Sequence, residues 1–444
     1  MTVLFLALPS ILAACGGGTA PDSGLDAAAD GGALDSSVDG GVDSALDAAS
    51  DGALDATPDA GPQDCMSLLT VGVDLPIAPD APDTQIHPFA VFDGLGVWVA
   101  FSLPETSGGT GFDTWAARLA CDGSFLVAPF LVNTTATAPN DVDPVVGLSG
   151  DQVLITWNAD TGMAPANLQV GYRAFAVDGT PLGDDQRLTL AGGDPYTQNV
   201  LLSAIEPDGD GFRLAGIRGV EATGTFQAFT QALDATLAPV DSGAEIFAEV
   251  GVTQQNTALV STGDGSFLAA YDRDDGMEAQ VVHRSLAAGA PDPVVSVPGF
   301  VRTAGPAVAV DSTDAVGRIV ALSAGSATRA QVHVVDVARP GVTAQLFGSS
   351  SRLNFAPKIV LEGGVGAVMW LRNESGIRNT LFIQGLHYGG AAFSTDAEIE
   401  ITTPSPVAPY APSLTRISDD VYFVSWAQGI SPAFRIFGRF VRVR

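Results

Sequence analysis

Four histidines and three cysteines are the residues of this 444-residue chain whose side chains best suit metal binding or nucleophilic catalysis. The histidines lie far apart, without the spacing that metal ligands show; they are His87, His283, His333 and His387. The sequence contains no His-Glu-x-x-His, Cys-x-x-Cys, Gly-x-Ser-x-Gly or Ser-x-x-Lys motif. We therefore predict no metal, no cofactor and no catalytic residue from local motifs. Any site must be assembled from residues that the fold brings together.

The stretch from Asp141 to Leu190 contains four short apolar runs that alternate with turn residues. The runs are rich in Val, Ile, Leu, Phe and Trp, and Gly, Asp and Pro lie between them. This composition is typical of β-strands, because β-branched and aromatic residues favour a pleated surface and Asp-Gly supplies the positive φ of tight hairpins. The stretch therefore predicts one antiparallel set of four strands.

This set of strands recurs along the chain with a period of about fifty residues. A proline marks the first strand in five places, namely Pro88, Pro144, Pro306, Pro357 and Pro412. The gap of 162 residues in the middle equals three gaps of 54, so two further repeats lie inside it. Seven repeats of this length predict an all-β fold, a seven-bladed β-propeller. Two β-sandwiches, or a ring of six or eight blades, are the alternatives.

The seventh repeat ends at Arg444 without a fourth strand. A matching segment, Ser67–Leu75, precedes the first repeat and is similar to the fourth strand of that repeat. We therefore predict that an N-terminal strand completes the last blade, which would close the ring and leave no unpaired inner edge.

Residues 16–64 precede the repeats and consist mainly of Asp, Ala, Gly, Ser and Pro, with no Lys, Arg or Glu. Their apolar surface is too small to offset the chain entropy lost on folding, so the segment is predicted to be a disordered spacer. A neutral coil of this length would average about 40 Å end to end, and repulsion among the Asp residues would extend it further. A helical face is disfavoured by the many glycines, and a calcium-binding ladder would need closely spaced ligands.

Residues 1–15 form an apolar run that ends in Leu12-Ala13-Ala14-Cys15. This run resembles a bacterial lipoprotein signal peptide with those four residues as the lipobox, although no Lys or Arg precedes it. The resemblance implies that Cys15 is lipidated and anchors the mature chain to a membrane. Gly16 follows, and because Asp at that position is the usual inner-membrane retention signal, the resemblance implies the outer membrane. The run is too short to span a bilayer; the alternative is a terminal strand of the core.

The repeats, the lipobox and the Asp-rich spacer together resemble exported propeller lipoproteins of Gram-negative bacteria. The resemblance covers nearly the whole chain and concerns architecture and export. It implies three segments, a signal peptide at 1–15, a spacer at 16–64 and a propeller at 65–444. It assigns no functional residue except Cys15.

With Cys15 assigned to lipid by this resemblance, Cys65 and Cys121 remain. Two thiols in an exported chain suggest one disulfide bond. Two free thiols are the alternative, because neighbouring blades could hold these residues too far apart.

The propeller region is acidic, with 39 acidic and 20 basic residues, and Lys358 is its one lysine. This charge argues against nucleic acid as a partner and against direct binding to an anionic membrane surface. The predicted partners are therefore a membrane, through the lipid anchor alone, and an unknown protein or glycan.

Two sets of long loops, those between second and third strands and those between repeats, are predicted to lie on one face of the ring. Because binding residues concentrate on long loops, we expect ligands there, with Trp115, Arg218, Arg273 and Arg372 as candidate contacts. The predicted function is a ligand-binding or scaffold module. The alternatives are an enzyme that cleaves carbohydrate or peptide with carboxylates on this face, and a structural part of a larger envelope complex.

Overall fold

A computed structural model describes most of residues 65–444. Residues 1–64 and several internal segments lie outside the description, and these segments are 82–83, 106–110, 135–139, 161–167, 189, 191–199, 221–224, 241–244, 247–251, 275–278, 287–294, 297–302, 312–316, 327, 340–341, 343–344, 375–377, 403–407 and 431–432. The chain divides into Met1–Asp59 and Ala60–Arg444, and every described residue belongs to the second part.

The described chain begins with a short helix, α1 (Cys65–Leu68), and a two-residue strand, β1 (Leu75–Pro76). The strands that follow form repeats of three to five strands each, paired antiparallel within each repeat. Repeat 1 consists of β2 (Ile86–Phe92), β3 (Val97–Pro104), β4 (Phe112–Leu119) and β5 (Phe125–Leu131). Repeat 2 consists of β6 (Asn140–Ser149), β7 (Gln152–Asp160), β8 (Leu168–Ala176) and β9 (Gln186–Arg187). Repeat 3 consists of β10 (Val200–Asp208), β11 (Gly211–Val220), β12 (Thr225–Leu233) and β13 (Glu245–Ile246).

The second half of the chain continues the pattern. Repeat 4 consists of β14 (Thr253–Ser261), β15 (Phe267–Asp274), β16 (Ala279–Leu286) and β17 (Val295–Ser296), and repeat 5 of β18 (Thr303–Val310), β19 (Arg318–Ser326), β20 (Arg329–Asp336) and β21 (Gln345–Phe347). Repeat 6 consists of β22 (Leu353–Glu362), β23 (Val365–Asn373), β24 (Asn379–Tyr388), β25 (Phe393–Thr395) and β26 (Ile399–Glu400). Repeat 7 consists of β27 (Ala408–Arg416), β28 (Val421–Ile430) and β29 (Ala433–Arg442). The predicted all-β fold is therefore confirmed.

The hydrophobic core lies between successive repeats. In the described residues it forms seven clusters, and each cluster combines side chains of two repeats that are adjacent in the chain or, in one case, of repeats 7 and 1. Second strands contribute to two clusters at once, because alternate side chains point to opposite faces of a sheet. Thus Trp98 packs toward repeat 2, whereas Phe101 packs toward repeat 7. Burial on both faces explains why these strands are continuously apolar in sequence.

The N-terminal segment joins repeat 1 to repeat 7. Cys65 is disulfide-bonded to Cys121 in the turn between β4 and β5, with the two Cα atoms 5.3 Å apart. Further along, β1 pairs antiparallel with β29, where Leu75 lies opposite Gly438. Ile77 is fully buried in the cluster between repeats 7 and 1. This segment is therefore held by both ends of the repeat region.

The strand predicted over Ser67–Leu75 is much shorter in the structure. Residues Cys65–Leu68 are helical, Gly72 has a φ of +83°, and regular pairing with β29 starts only at Leu75. The disulfide explains the difference, because it holds the start of the segment against repeat 1. The chain must first cross to repeat 7 before it can pair there.

Candidate functional site

The first strands share an irregularity at one register position. A residue with φ between +47° and +61° interrupts the pairing with the second strand in six repeats, and these residues are His87, Asp143, Asn256, Gly305, Ala356 and Ala411. In five of the six a proline follows, so the recurring proline of the sequence marks a β-bulge. A left-handed conformation costs a non-glycine residue about 1–2 kcal/mol. Strain of this kind persists where the surrounding structure enforces it, and such residues are candidates for function.

Three of the bulge-level side chains, from three repeats, meet at one place. His87 Nδ1 lies 2.5 Å from Asp143 Oδ1, which joins repeat 1 to repeat 2. The ring of Tyr410, from repeat 7, packs edge-on against His87 with the ring centroids 5.9 Å apart. We call His87, Asp143 and Tyr410 the axial triad. It lies at the N-terminal ends of the first strands, on the side of the connections between repeats.

The charges within the axial triad shift each other's pKa values. Burial alone would lower the pKa of His87, but the adjacent Asp143 carboxylate outweighs it and the pKa is raised. Burial would raise the pKa of Asp143, yet His87 and a hydrogen bond from Asn158 bring it below its usual value. Burial and the Asp143 charge raise the pKa of Tyr410. At a pH between the lowered pKa of Asp143 and the raised pKa of His87, the triad is thus an ion pair beside a neutral hydroxyl group.

Most other polar groups at this level join neighbouring repeats. Asn158 Oδ1 accepts the N–H of Leu202 at 2.9 Å. Asp272 accepts the Gly305 N–H at 3.0 Å and the Asn256 side chain at 2.6 Å, and burial raises its pKa to about 7. The ion-paired side chains of the axial triad differ, because they keep 19% and 34% of their surface exposed. Because these side chains are partly exposed, they can contact a ligand without any change in how the repeats pack.

Two further carboxylates converge on Asn133 between repeats 1 and 2. Asn133 Nδ2 donates to Asp113 Oδ1 at 3.0 Å and to Asp141 Oδ2 at 2.7 Å. Burial first, and then the Asp113 charge, raise the pKa of Asp141 to about 7, against the opposing effect of Arg187. Asp141 is only 1% exposed. This pair therefore connects repeats 1 and 2 and does not face solvent as a pair.

The four contacts predicted from the loops lie on strands of four different repeats. Trp115 is half-buried and packs against the core between repeats 7 and 1. Arg218 and Arg273 lie on the second strands of different repeats, opposite Val200 and Gln254.

Arg372 is engaged within its own repeat. Its guanidinium lies 2.5 Å from Glu398 Oε2, donates to Asn354 and stacks 3.9 Å from the Phe382 ring centroid. Its charge is thus neutralised locally. Of the other predicted site residues, Cys65 and Cys121 are bonded to each other, and Cys15 lies outside the described residues.

Sequence reasoning missed the axial triad, although a signal for two of its members was present. His87 and Asp143 each stand directly before a first-strand proline. Equivalent positions in different repeats come together in a repeat protein, so charged residues at the same offset from a recurring proline were the available clue. Nothing in the local sequence distinguishes Tyr410, which stands two residues before its proline.

Other features of the described residues are not connected with the triad. A surface groove of about 270 Å³ lies between repeats 2 and 3 and is lined by Tyr172, Arg173, Leu182 and Thr236 among others. Within the described ranges, His, Cys, Asp and Glu side chains form no group of three or more that could hold a metal ion. No helix among the described residues has the length and apolar character needed to cross a membrane.

Comparisons with known proteins concern the fold. No family model matches this sequence, and no curated protein matches it. A structure of a protein of unknown function from Dyadobacter fermentans is similar with a TM-score of 0.50 and 10% identity, covering 84% of this chain and 99% of that one. The β-propeller domain of the Trilobed protease from Pyrococcus furiosus has a TM-score of 0.47 at 9% identity, covering 80% and 95%.

A sialidase from Trypanosoma rangeli in complex with the inhibitor DANA is also similar, with a TM-score of 0.43 and 11% identity. The match covers 84% of this chain and 58% of the sialidase. At these identities the likeness is one of fold, and the activities of these proteins do not extend to this chain.

Proposed function

We propose that the repeats form a closed, seven-bladed β-propeller that binds a hydroxylated ligand at the axial triad. Support for closure comes from the cluster that packs repeat 7 against repeat 1 and from the pairing of β1 with β29. The first strands also contact one another in chain order, and β27 contacts β2. Such contacts are those expected of blades around one axis.

The axial triad is the observation that carries the binding proposal. Its three side chains come from three repeats, and two of them stand at strained positive-φ positions. Elsewhere the hydrogen bonds of single polar side chains, such as Asn158 and Asp272, join neighbouring repeats. A partly exposed ion pair beside a tyrosine is more than closure requires.

The chemistry of the triad suits a neutral glycan. Asp143 accepts hydrogen bonds, His87 donates them, and the Tyr410 hydroxyl can do both, so together they match sugar hydroxyl groups. Aromatic side chains add an apolar surface with a polar end. The acidic body disfavours a polyanionic partner.

The test is the binding of neutral oligosaccharides to the full chain, measured by calorimetry. His87→Gln, Asp143→Asn and Tyr410→Phe should each weaken binding about tenfold, the effect of one lost hydrogen bond to a charged or buried group. Asp122→Asn and Asp178→Asn, in short turns at the opposite ends of the strands, should leave binding unchanged. Circular dichroism would verify that each variant is folded. Weakening by the turn variants alone, or no binding of any oligosaccharide, would overturn the proposal.

We further propose that the protein is exported and anchored to the outer membrane through Cys15. The Cys65–Cys121 bond supports export, because structural disulfides are typical of oxidising compartments. Replacing Cys15→Ser should move the protein from the membrane fraction to the soluble fraction. A variant that stays in the membrane fraction would contradict the anchor.

A hydrolase that uses two carboxylates is the less favoured function. The described pair that converges is Asp113 and Asp141, and Asp141 is almost fully buried. A glycosidase needs both carboxyl groups in contact with the substrate or with the attacking water.

A further inference from the structure

Lys358, the one lysine of the sequence, lies on the first strand of repeat 6. It follows Pro357 and stands opposite Met369, which is fully buried. Its place is the sixth of the ten residues of β22, so it is remote from both ends of the strand. A lysine in the middle of an inner strand is unusual, because lysine is rarely buried unless it is paired.

The exposure pattern of the first strands shows which way Lys358 points. After the bulge each first strand pairs again with the second strand. In repeats 1, 3, 4 and 6 the first and third residues of this resumed pairing are half-buried, and the residue between them is buried. In repeat 6 these are Lys358, Ile359 and Val360. Val360 packs in the cluster between repeats 6 and 7, whereas Ile359 packs toward repeat 5. Lys358 is therefore directed toward repeat 7.

Lys358 is half-buried, and one edge of its strand is unpaired beside it. One edge of β22 pairs with β23, the other pairs with β20 only at Leu353, and the cluster between repeats 6 and 7 covers the side on which Lys358 lies. The remaining direction is the edge of the first strand that faces the axis of the proposed ring. The half-buried residues at the equivalent positions are almost all apolar: Phe89, Val91, Ala204, Ala258, Val260 and Val360, with Glu206 as the exception.

The ammonium group of Lys358 makes no hydrogen bond or ion pair with any residue that the structure describes. By contrast, the largely buried Arg118 is neutralised by Asp93 at 2.7 Å. Glu206 accepts the N–H of Ser261 instead of pairing with the lysine. Burial lowers the pKa of Lys358, because the charged ammonium group loses water without gaining a counter-charge. An ammonium group held in this way has an unused capacity to bind an anion.

We propose that Lys358 binds the carboxylate of a small ligand whose apolar part lies along the inner strands. A carboxylate would supply the counter-charge that the protein does not provide, in a charge-assisted hydrogen bond. The apolar side chains at the equivalent positions would contact the rest of the ligand. This site is distinct from the axial triad, and the inference rests on the proposed closed ring but not on the glycan.

A single lysine allows a direct test by NMR. The full chain labelled with ¹³C-lysine should give one Cε signal from Lys358, and added hexanoate should shift it in a saturable way. Hexanol, which has the same chain length without the charge, should shift it little. Inorganic phosphate distinguishes an apolar carboxylate site from a general anion site, and a saturable shift by phosphate but not hexanoate would overturn the proposed ligand class.

Calorimetry with variants completes the test. Lys358→Met should weaken hexanoate binding about tenfold or more, as expected for a lost charge-assisted hydrogen bond, while Lys358→Arg should keep part of it. Asp178→Asn, in an exposed turn, should leave hexanoate binding unchanged, and because hexanoate is not a glycan, the failure of the glycan proposal would not affect this result. An unshifted lysine signal at saturating hexanoate, or equal binding to the wild type and Lys358→Met, would overturn the inference.

Discussion

At the scale of single residues, the ion pair of the axial triad couples protonation to folding. His87 has a raised pKa in the folded state, so its contribution is complete below its ordinary value of 6.5 and is lost as the pH rises through the folded pKa. Asp143 has a lowered pKa, so its contribution is present above 3.8 and is lost as the pH falls through the folded value. The pair therefore stabilises the fold most between about pH 4 and 6.5.

We predict that Asp143→Asn lowers the free energy of unfolding by about 1 kcal/mol at pH 5.5, a modest value because the pair is partly exposed. The loss should shrink above the folded pKa of His87, where the imidazole is neutral in both proteins. Urea titrations from pH 5 to 9 would measure this difference. Asp178→Asn, in an exposed turn, is the control. A loss that grows with pH would contradict the assigned charge state of His87.

The residues that sequence reasoning found and missed differ in the range of their interactions. The prolines recur at a fixed spacing and were visible in the one-dimensional pattern. The pairing of His87 with Asp143 depends on two repeats packing side by side, and on a bulge that interrupts strand pairing at both residues. Charged residues on a loop face, such as Arg372, were easy to propose but are neutralised by neighbours that only the fold supplies.

At the scale of the strand, the bulge is the recurring feature of the inner strands. It places one residue in the left-handed region, where glycine is favoured. Repeat 5 already has Gly305 there, whereas repeats 6 and 7 have Ala356 and Ala411. The following proline fixes the next φ and has no N–H, so it suits a position where pairing is interrupted.

We predict that Ala356→Gly stabilises the fold by about 0.5–1 kcal/mol. Relief of the left-handed strain is worth about 1–2 kcal/mol, and the added freedom of the unfolded chain opposes it by about 0.5–1 kcal/mol. Ala204→Gly, at a half-buried first-strand position where no positive φ occurs, should instead destabilise by about 0.5–1 kcal/mol. Thermal melting of both variants measures the contrast, and equal destabilisation would show that the bulge is not strained.

Strand periodicity in the sequence predicted the all-β fold correctly and failed at the N-terminal segment. Second strands are largely apolar because both faces are buried, and that signal is strong. In Ser67–Leu75 the apolar pattern resembled a fourth strand, but the disulfide and the positive φ of Gly72 limit the regular strand to Leu75 and Pro76, with one isolated bridge from Val71 to Phe440. The apolar pattern of a short segment does not show that a disulfide bond holds it against another repeat.

At the scale of the whole molecule, residues 65–81 unite the first and last repeats. They contribute Cys65, Ile77 and Ala78 to the cluster that packs repeat 7 against repeat 1. Backbone hydrogen bonds to both repeats reinforce this packing, from Thr70 N–H to Cys121 at 3.2 Å and from Gly72 N–H to Phe440 at 2.9 Å. Removing the segment would expose apolar surface on both repeats at once.

We predict that replacing Cys65→Ala together with Cys121→Ala destabilises the fold by about 2–4 kcal/mol, because the bond closes a long loop in the unfolded chain. Deleting residues 65–80 should destabilise it further, since packing and pairing with β29 are lost as well. Deleting residues 20–60 is the matched control and should leave the melting temperature unchanged. Equal melting of the two deletions would contradict a role for the segment in closure.

The disulfide also determines how the protein would respond to mechanical load. A pull on the chain from its N-terminal side reaches Cys65 first, and the covalent bond passes it to the hairpin of repeat 1. The two-residue strand β1 lies beyond that point and carries none of the tension. A protein tethered by its N-terminus could thus sustain drag without its weakest pairing being peeled open, whereas reduction of one bond would direct the same force onto β1.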